Sequence, residues 1–249
     1  MSTTELIIFI HIAKTGGTTL RDILDKQYGQ DSLFMYAHET IESLNTPIKI
    51  LNMLKEHIHT ARALSGHYSF GMKYEEINDP LLPLIKTSRK IIYISLLRKP
   101  VERIFSLYHH HKRNNWLHDD VTFETFIRNK LYTLNHQTIC LAGTPNPDFH
   151  LAQKNIIQHF AVVGVTDMYI QSLFLMQKHF NWKPLKYNKL NQFIKTSEIN
   201  DIPKQIVEQI NHDNYLDVKL HKFAKRILKK KIKSLSKPQQ KELRYFSPF

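Results

Sequence analysis

A lysine and two adjacent glycines stand together near the start of the chain, in the segment Lys14-Thr15-Gly16-Gly17-Thr18-Thr19. Adjacent glycines let the backbone approach a ligand closely, so several N–H groups can point at one oxyanion. A helix that starts here adds unsatisfied amides and its positive dipole end, and the lysine adds a full charge. The segment predicts a cradle for phosphate or sulfate, although a plain tight turn with a solvated Lys14 is the alternative. It is not the Walker A motif, because the lysine precedes the glycines.

A second candidate anion site combines Arg98, at the end of an apolar run, with Ser106, about two helical turns further on. A guanidinium fork and a hydroxyl can bind a phosphate from two sides. The alternative is an arginine that pairs with a carboxylate at a strand end and a serine on a polar helix face. One arginine and one serine are a weak pattern alone, but two anion sites in one chain strengthen each other.

A histidine between these two sites, His67 in the segment Ser65-Gly66-His67-Tyr68-Ser69-Phe70-Gly71, is a candidate general base. Histidine can accept a proton from a hydroxyl near neutral pH. The chain holds 15 histidines, so the choice of His67 rests on its segment and its position. The run His109-His110-His111 is not read as a metal site, because consecutive helical residues point about 100° apart. We expect no metal.

The elements that position these residues follow the order strand, turn, helix twice. Residues 5–12 form an apolar, β-branched run, and residues 19–28 have helical spacing after the glycine turn. Residues 90–97 repeat the apolar run, Arg98-Lys99-Pro100 breaks it, and residues 101–111 have helical spacing. Runs without polar alternation are typical of strands buried on both faces, in a parallel sheet covered by helices.

Further elements extend this α/β prediction along the chain. The pattern predicts a helix over 123–131, a strand over 160–165, a helix over 168–179, and helices with a basic exposed face over 203–233. We predict a single domain over residues 1–249, with a helical and basic C-terminal region from about 203 to 249. A chain of 249 residues is long enough for one such domain with a substantial core.

The formal net charge of +13 predicts anionic ligands or partners, but charge does not choose among nucleic acid, phospholipid, polyanionic sugar and nucleotide. A basic run such as the one in the C-terminal third is most often a solvated helix face. The single cysteine, Cys140, excludes an internal disulfide and a cysteine-based zinc site. The apolar run at 6–12 is too short to span a bilayer and lacks the flanks of a signal peptide. We expect a cytoplasmic protein, with attachment to the inner face of a membrane left open.

The glycine segment resembles the 5′-phosphosulfate loop of sulfotransferases that use 3′-phosphoadenosine-5′-phosphosulfate (PAPS). The resemblance is to the carbohydrate and heparan-sulfate 2-O-sulfotransferase group and its bacterial relatives, whose loop usually reads Phe-Val-His-Ile-Pro-Lys-Thr-Gly-Gly-Thr-Ser. Ala13 stands here in place of the proline. The segment from Leu97 to Arg103 is similar to the family's Leu-Arg-Asp-Pro-Val-Glu-Arg, with Lys99 in place of the aspartate. The segment around His67 resembles the Gly-His-x-x-Phe segment of the uronyl 2-O-sulfotransferases.

This resemblance implies the P-loop-nucleotide-kinase-like sulfotransferase fold, PAPS as the sulfuryl donor and adenosine 3′,5′-bisphosphate (PAP) as the product. The implied cofactor-binding residues are Lys14, Thr15, Gly16, Gly17, Thr18, Thr19, Arg98 and Ser106. As catalytic groups, Lys14 stabilises the leaving phosphate and His67 is the general base. The acceptor is implied to be a hydroxyl, of a glycan or a glycolipid, and no nucleic-acid partner is expected.

One departure from the family falls in residues 135–143, which resemble Asn-x-Gln-Thr-Arg-x-Leu-x-Gly but carry Ile139 at the arginine position. The departure leaves open a degenerate sulfotransferase that binds the donor without turnover. Two other functions also stay open. The basic C-terminal helices could form a nucleic-acid-binding module, and the loop could belong to a nucleotide kinase-like phosphotransferase, which the Walker mismatch and the lack of a clear magnesium carboxylate disfavour.

Overall fold

A computed structural model of the chain describes residues 5–35, 52, 55–73, 88–184, 199 and 201–247. Within these residues, five strands form one sheet. The strands are β1 (Glu5–Ile10), β2 (Ser32–Met35), β3 (Ala63–Gly66), β4 (Lys90–Leu97) and β5 (Phe160–Val165). Their order across the sheet is β2-β3-β1-β4-β5, and every neighbouring pair is parallel. The predicted parallel sheet is therefore confirmed.

Helices precede or follow the strands along most of the described chain. They are α1 (Gly17–Tyr28), α2 (Pro100–Arg113), α3 (Phe123–Arg128), α4 (His136–Ala142), α5 (Phe149–His159), α6 (Tyr169–Phe180), α7 (Lys204–Asp213), α8 (Tyr215–Lys233) and α9 (Lys237–Tyr245). None of the helices in the described residues is long and apolar enough to cross a membrane. The helical C-terminal region is thus confirmed, and it includes α9, in a tail whose structure the sequence pattern left open.

The core forms because the central strands bury both faces. Every residue of β5 is buried, and so are five of the six residues of β1, which is the burial expected of a parallel sheet between helices. On one face α8 contributes buried side chains to the core, among them Leu220, Ala224 and Leu228. A smaller apolar cluster joins Ile104 of α2 to Phe126 of α3 and Ile210 of α7, among others.

The predicted boundaries differ from the observed ones mainly at turns. Strands β4 and β5 have the predicted limits, whereas β1 ends at Ile10 rather than at residue 12. The chain leaves the ladder there, after His11 N donates to Gly66 O at 2.9 Å. Helix α1 begins at Gly17, before the predicted residue 19, because glycine and threonine add nothing to an apolar period. Helix α3 ends at Arg128 rather than at residue 131.

The register brings the strand ends together. Ile10 pairs with Gly66 of β3 and with Ser95 of β4, and Leu97 pairs with Val165 of β5. Because the strands are parallel, the segments that follow β1, β3, β4 and β5 all leave from one edge of the sheet. Every predicted site residue other than Ser106 lies in a segment or first helical turn that follows one of these strands.

Candidate active site

A crevice between β1 and β4 is the centre of the site. These neighbouring strands are followed by connections that run in opposite directions, toward β2 and toward β5, and open parallel sheets bind ligands at this kind of position. Lys14 lies in the loop after β1, and Arg98 directly follows β4. Arg98 Nη1 donates to Lys14 O at 3.3 Å. Arg98 of the second predicted anion site therefore lies beside the loop that forms the first.

The loop after β1 has a strained backbone. Lys14 has a φ of 67° and Gly16 a φ of 80°, and a left-handed conformation is unfavourable for a residue with a side chain. Between them Thr15 is fully buried, and its hydroxyl donates to Ile12 O at 2.8 Å. The Thr15 hydroxyl thus stabilises the loop, which leaves the backbone N–H as the group of Thr15 that can face an anion.

The first turn of α1 offers donors to a negative group. The helix begins at Gly17 with no side-chain cap and with no acidic residue in its first turn. The first N–H groups of a helix have no intrahelical acceptor, so those of Gly17 and Thr18 can donate to an oxyanion. The side chain of Thr18 is half-buried at this end of the helix, whereas Thr19 is buried and hydrogen-bonds Tyr169.

Tyr169, the first residue of α6, covers the loop. Its hydroxyl donates to Gly16 O at 2.9 Å, and a Cβ on Gly16 would lie 3.3 Å from its ring. Burial raises the pKa of Tyr169, so the phenol stays protonated and remains a donor. The sequence pattern did not identify this residue, because an aromatic at the start of a distant helix has no recognisable spacing from the loop.

His11 supports both the loop and His67. A Cβ on Gly17 would lie 2.0 Å from His11 Cδ2, so the contact requires glycine. The His11 ring stacks on Phe9, with centroids 5.3 Å apart, and meets the His67 ring edge to face at 4.8 Å. Burial, together with nearby cationic groups, lowers the pKa of His11 well below its usual value. His11 is therefore neutral and packs against the exposed His67, which directly follows β3.

The Lys14 ammonium lies in a positive field. Burial, followed by the charges of Arg113 and Arg98, lowers the pKa of Lys14 to about 8. Neighbouring cations lower one another's pKa because they repel, and an anion that binds among them relieves that repulsion. The electrostatics of the crevice therefore favour a negatively charged ligand.

Arg98 is fixed by its backbone as well as by its side chain. Its backbone N–H donates to Gln137 Oε1 at 2.8 Å, and Gln137 Nε2 donates back to Arg98 O at 2.9 Å. Its Nε donates to Glu102 Oε2 at 3.3 Å. Ser106 lies further along α2 and is buried, and Lys99 forms an ion pair with Glu102 at 3.3 Å.

The buried carboxylate of Asp217 positions Gln137, the residue that hydrogen-bonds to both backbone groups of Arg98. Asp217 is fully buried in α8 and accepts hydrogen bonds from the backbone and side chains of Gln137 and Thr138, over 2.7 to 3.3 Å. Its charge also opposes the burial that lowers the pKa of Arg103. The segment 135–143 thus comprises α4 with its two caps, and it supports the backbone of Arg98 through Gln137. Ile139, at the position of the usual arginine, is half-buried on the same helix.

No group of three or more metal-ligating side chains that could hold an ion occurs within the described residues.

A model of the sulfotransferase family matches residues 1–163, a stretch that includes Lys14, His67, Arg98 and Ser106. The chain belongs to the sulfotransferase family. No curated protein sequence matches it.

Several solved structures are similar to the chain at low identity. Mouse sulfotransferase SULT7A1 complexed with PAP is 15% identical, with 83% of this chain and 64% of that chain covered and a TM-score of 0.43. Retinol dehydratase in complex with androsterone and the inactive cofactor PAP is 12% identical, with 86% and 66% covered and a TM-score of 0.38. Retinol dehydratase with retinol and PAP is 12% identical, with 90% and 68% covered and a TM-score of 0.40. The chain spans just under two thirds of the first two structures.

In this sulfotransferase-family chain, the residues around the crevice could hold a nucleotide that carries anionic groups at two ends. One end would meet Lys14 and the uncapped first turn of α1, and the other would meet Arg98 and the side of α2 that carries Ser106. The depressed pKa of Lys14 and the hydrogen bond between Arg98 and the Lys14 carbonyl are the observations that point to such a ligand.

Proposed function

We propose that the chain transfers a sulfuryl group from PAPS to a hydroxyl, on a carbohydrate or glycoconjugate acceptor. The observation that carries the proposal is the crevice between β1 and β4, where the lysine-led glycine loop and Arg98 lie side by side. Membership of the sulfotransferase family supports the reaction class. The choice of a carbohydrate follows from the resemblance of the motifs to the 2-O-sulfotransferase group. A single domain and a cytoplasmic location remain predictions from the sequence.

The residues of the chain have distinct roles in this proposal. PAPS supplies a sulfuryl group bonded to its 5′-phosphate, and PAP leaves when that S–O bond breaks. Lys14 and the first amides of α1 stabilise the negative charge that grows on the departing phosphate oxygen. Arg98 and Ser106 bind the 3′-phosphate, which fixes the donor in line with the acceptor. His67 accepts the proton that the acceptor hydroxyl loses as its oxygen bonds to sulfur.

The geometry around His67 supports its role as the base. The ring is exposed at the strand edge, whereas its neighbour His11 is buried and kept neutral by that burial. A base must reach solvent-borne substrate, and His67 is the member of the pair that does. His11 acts as a positioning residue, because its ring contacts His67 and the glycine turn at once.

Calorimetry with PAP and ADP tests the cofactor assignment without knowledge of the acceptor. We expect PAP to bind at least about tenfold more tightly than ADP, because Arg98 and Ser106 are available to a 3′-phosphate that ADP lacks. In Arg98→Gln this preference should shrink while ADP affinity changes little. Equal affinities for PAP and ADP in the unaltered protein would contradict the assignment.

A nucleic-acid-binding module is the second candidate function, and one observation favours it. Exposed cations form a row along α8, at Lys219, Lys222, Arg226, Lys229, Lys230 and Lys233. Submicromolar, strongly salt-dependent binding of duplex or single-stranded nucleic acid, together with no detectable binding of PAP, would favour this module over the transferase.

A further inference from the structure

One face of α2 continues the cofactor side of the crevice toward a second group of residues. Ser106, His110 and Arg113 are separated by four and three positions, so they lie on the same face of the helix. The first is assigned above to the 3′-phosphate. The other two lie in the last turn of α2, close to where the helix ends at Arg113.

Trp116 lies just beyond that helix end, and 60% of its surface is exposed. Its ring contacts His110 and His111 with centroids 5.3 Å and 5.4 Å apart. The backbone fixes it there, because Trp116 N donates to His111 O at 2.9 Å and Asn115 adopts a φ of 56°. A hydrogen-bonded turn thus holds the indole of Trp116 against two imidazole rings, with much of its surface exposed to solvent.

The exposure of this indole contrasts with the aromatic residues around it. Phe105, Tyr108, Phe123 and Phe126 pack against one another on the inner side of α2, whereas the indole lies outside that cluster. The second tryptophan of the chain, Trp182, is 6% exposed and its Nε1 donates to the Tyr28 hydroxyl at 2.7 Å. An exposed indole that is fixed in place offers a flat apolar surface at little entropic cost.

The ionisable side chains beside the indole, Arg113 and His110, interact electrostatically with Lys14. Arg113 is the largest charge that lowers the pKa of Lys14. Burial, followed by the charge of Lys14, lowers the pKa of His110 to about 4. The end of α2 therefore lies within electrostatic range of the residue assigned to the reacting phosphosulfate, and His110 is neutral there.

The neutral His110 ring has a defined donor. Asn114 Nδ2 lies 3.1 Å from His110 Nδ1 and donates to His110 O at 2.7 Å. An amide nitrogen can only donate, so Nδ1 is the acceptor and Nε2 carries the proton. The end of α2 thus combines an N–H donor, a guanidinium and an aromatic face.

We infer that the end of α2 is the acceptor-binding surface and that it selects acidic saccharides. Resting on the proposed function, this assigns Trp116 to stack on a pyranose ring, Arg113 to bind a carboxylate or sulfate of the acceptor, and His110 to donate to a ring substituent. A flat aromatic beside a guanidinium fits a sugar that carries an anionic group.

Tryptophan fluorescence tests this surface directly, because the chain has two tryptophans and the other is buried. Acrylamide quenching is measured with and without three probes: heparin oligosaccharides, oligoglucuronates and neutral maltohexaose. We expect the acidic probes to reduce the quenching constant at least about twofold and maltohexaose to leave it unchanged. Trp116→Phe should remove both the fluorescence that acrylamide quenches and the protection by acidic probes.

A matched pair of variants separates the guanidinium from general charge. Arg113→Gln and Lys112→Gln each remove one cation from neighbouring positions, but Lys112 Nζ donates to the carbonyl oxygens of His118 and Asp119. Arg113→Gln should weaken binding of the acidic probes at least about tenfold, and Lys112→Gln less than about twofold. With PAPS present, Trp116→Ala should raise KM for a sulfated acidic probe more than it lowers kcat.

The outcomes separate this inference from the proposed function. Loss of PAP binding in calorimetry would overturn the proposed function. Intact PAP binding with no shielding of Trp116 by either acidic probe would overturn the inference alone. Shielding by PAP itself, equal shielding by maltohexaose, or equal effects of the two glutamine variants would also overturn it.

Discussion

Lys14 is a residue whose protonation state falls within the range of an ordinary assay. Burial and two arginines lower its pKa to about 8. A lysine is charged below its pKa, so the ammonium that stabilises the leaving phosphate is present below pH 8 and is lost as the pH rises through that value.

We predict that kcat/KM for the donor falls above a pH of about 8, because this parameter reports the ionisation of the free enzyme. Lys14→Arg, which keeps its charge at all accessible pH values, should remove the falling limb, and Lys14→Ala should reduce turnover at least about a hundredfold. Arg113→Gln should move the limb to higher pH, since it removes the largest charge that lowers the Lys14 pKa. Steady-state rates from pH 6 to 10 give the profile. A flat profile would remove Lys14 from the chemistry.

His67 carries the second prediction at this scale. His67→Ala should reduce kcat at least about a hundredfold while PAP affinity in calorimetry changes little, because a base acts on the acceptor rather than on the donor. His57→Ala provides a control, since His57 is exposed and precedes β3, at the end of the strand opposite to the one that His67 follows. A normal rate in His67→Ala would assign proton removal to another group.

At the scale of elements, three helices cooperate to place one arginine. Asp217 of α8 receives the N-terminus of α4, and Gln137 of α4 binds both backbone groups of Arg98. The carboxylate also faces Arg103, a fully buried cation of α2 whose Nε and Nη2 make no hydrogen bond to the described residues. The position of Arg98 therefore depends on a contact between distant parts of the chain.

We predict that Asp217→Asn lowers the free energy of unfolding by about 3 kcal/mol or more. The substitution turns an acceptor toward the donors of α4 into an amide and leaves Arg103 buried without a counter-charge. Urea denaturation gives the free energy, and PAP calorimetry should show weaker binding in the folded variant. Glu208→Gln on the exposed face of α7 serves as the control and should change stability by less than about 0.5 kcal/mol. Equal stability of the two variants would contradict the buried network.

The sequence predicts the elements better than the contacts between them. The limits of β4 and β5 follow from apolar runs bounded by polar residues, and the glycine turn marks the loop after β1. The roles of His11, Tyr169 and Asp217 could not be derived, because each depends on a contact between segments that the strand order alone brings together. Likewise, the sequence places Thr15 among the cofactor ligands, whereas the folded loop turns its hydroxyl toward Ile12.

At the scale of the whole molecule, charge is distributed unevenly. The net charge is +13, and the row of exposed cations on α8 includes no acidic residue between Val218 and Lys233. Helix α8 begins beside Gln137, the residue that binds the backbone of Arg98. It reaches the start of β5, where Lys231 Nζ donates to Ala161 O. The row therefore extends from the site edge along the outside of the sheet.

We predict that affinity for a heparin oligosaccharide falls at least about tenfold between 50 and 200 mM salt, because exposed charges are screened beyond a Debye length of about 8 to 10 Å. A variant with Lys222, Arg226, Lys229 and Lys230 changed to Gln should show a shallower salt dependence, whereas PAP affinity should not change. Fluorescence titrations at several salt concentrations give both slopes. An affinity that is independent of salt would contradict a role for this row in binding.

The lone thiol of the chain offers an internal reporter. Cys140 is buried in α4, 3.4 Å from His136 Nε2, on the same short helix that carries Gln137. A thiol reagent can reach it only when that helix separates from the body of the protein. The rate of alkylation therefore measures how often α4, which supports Arg98, separates from its neighbours. A nucleotide bound to Arg98 should stabilise this contact and slow the reaction, without any label being introduced.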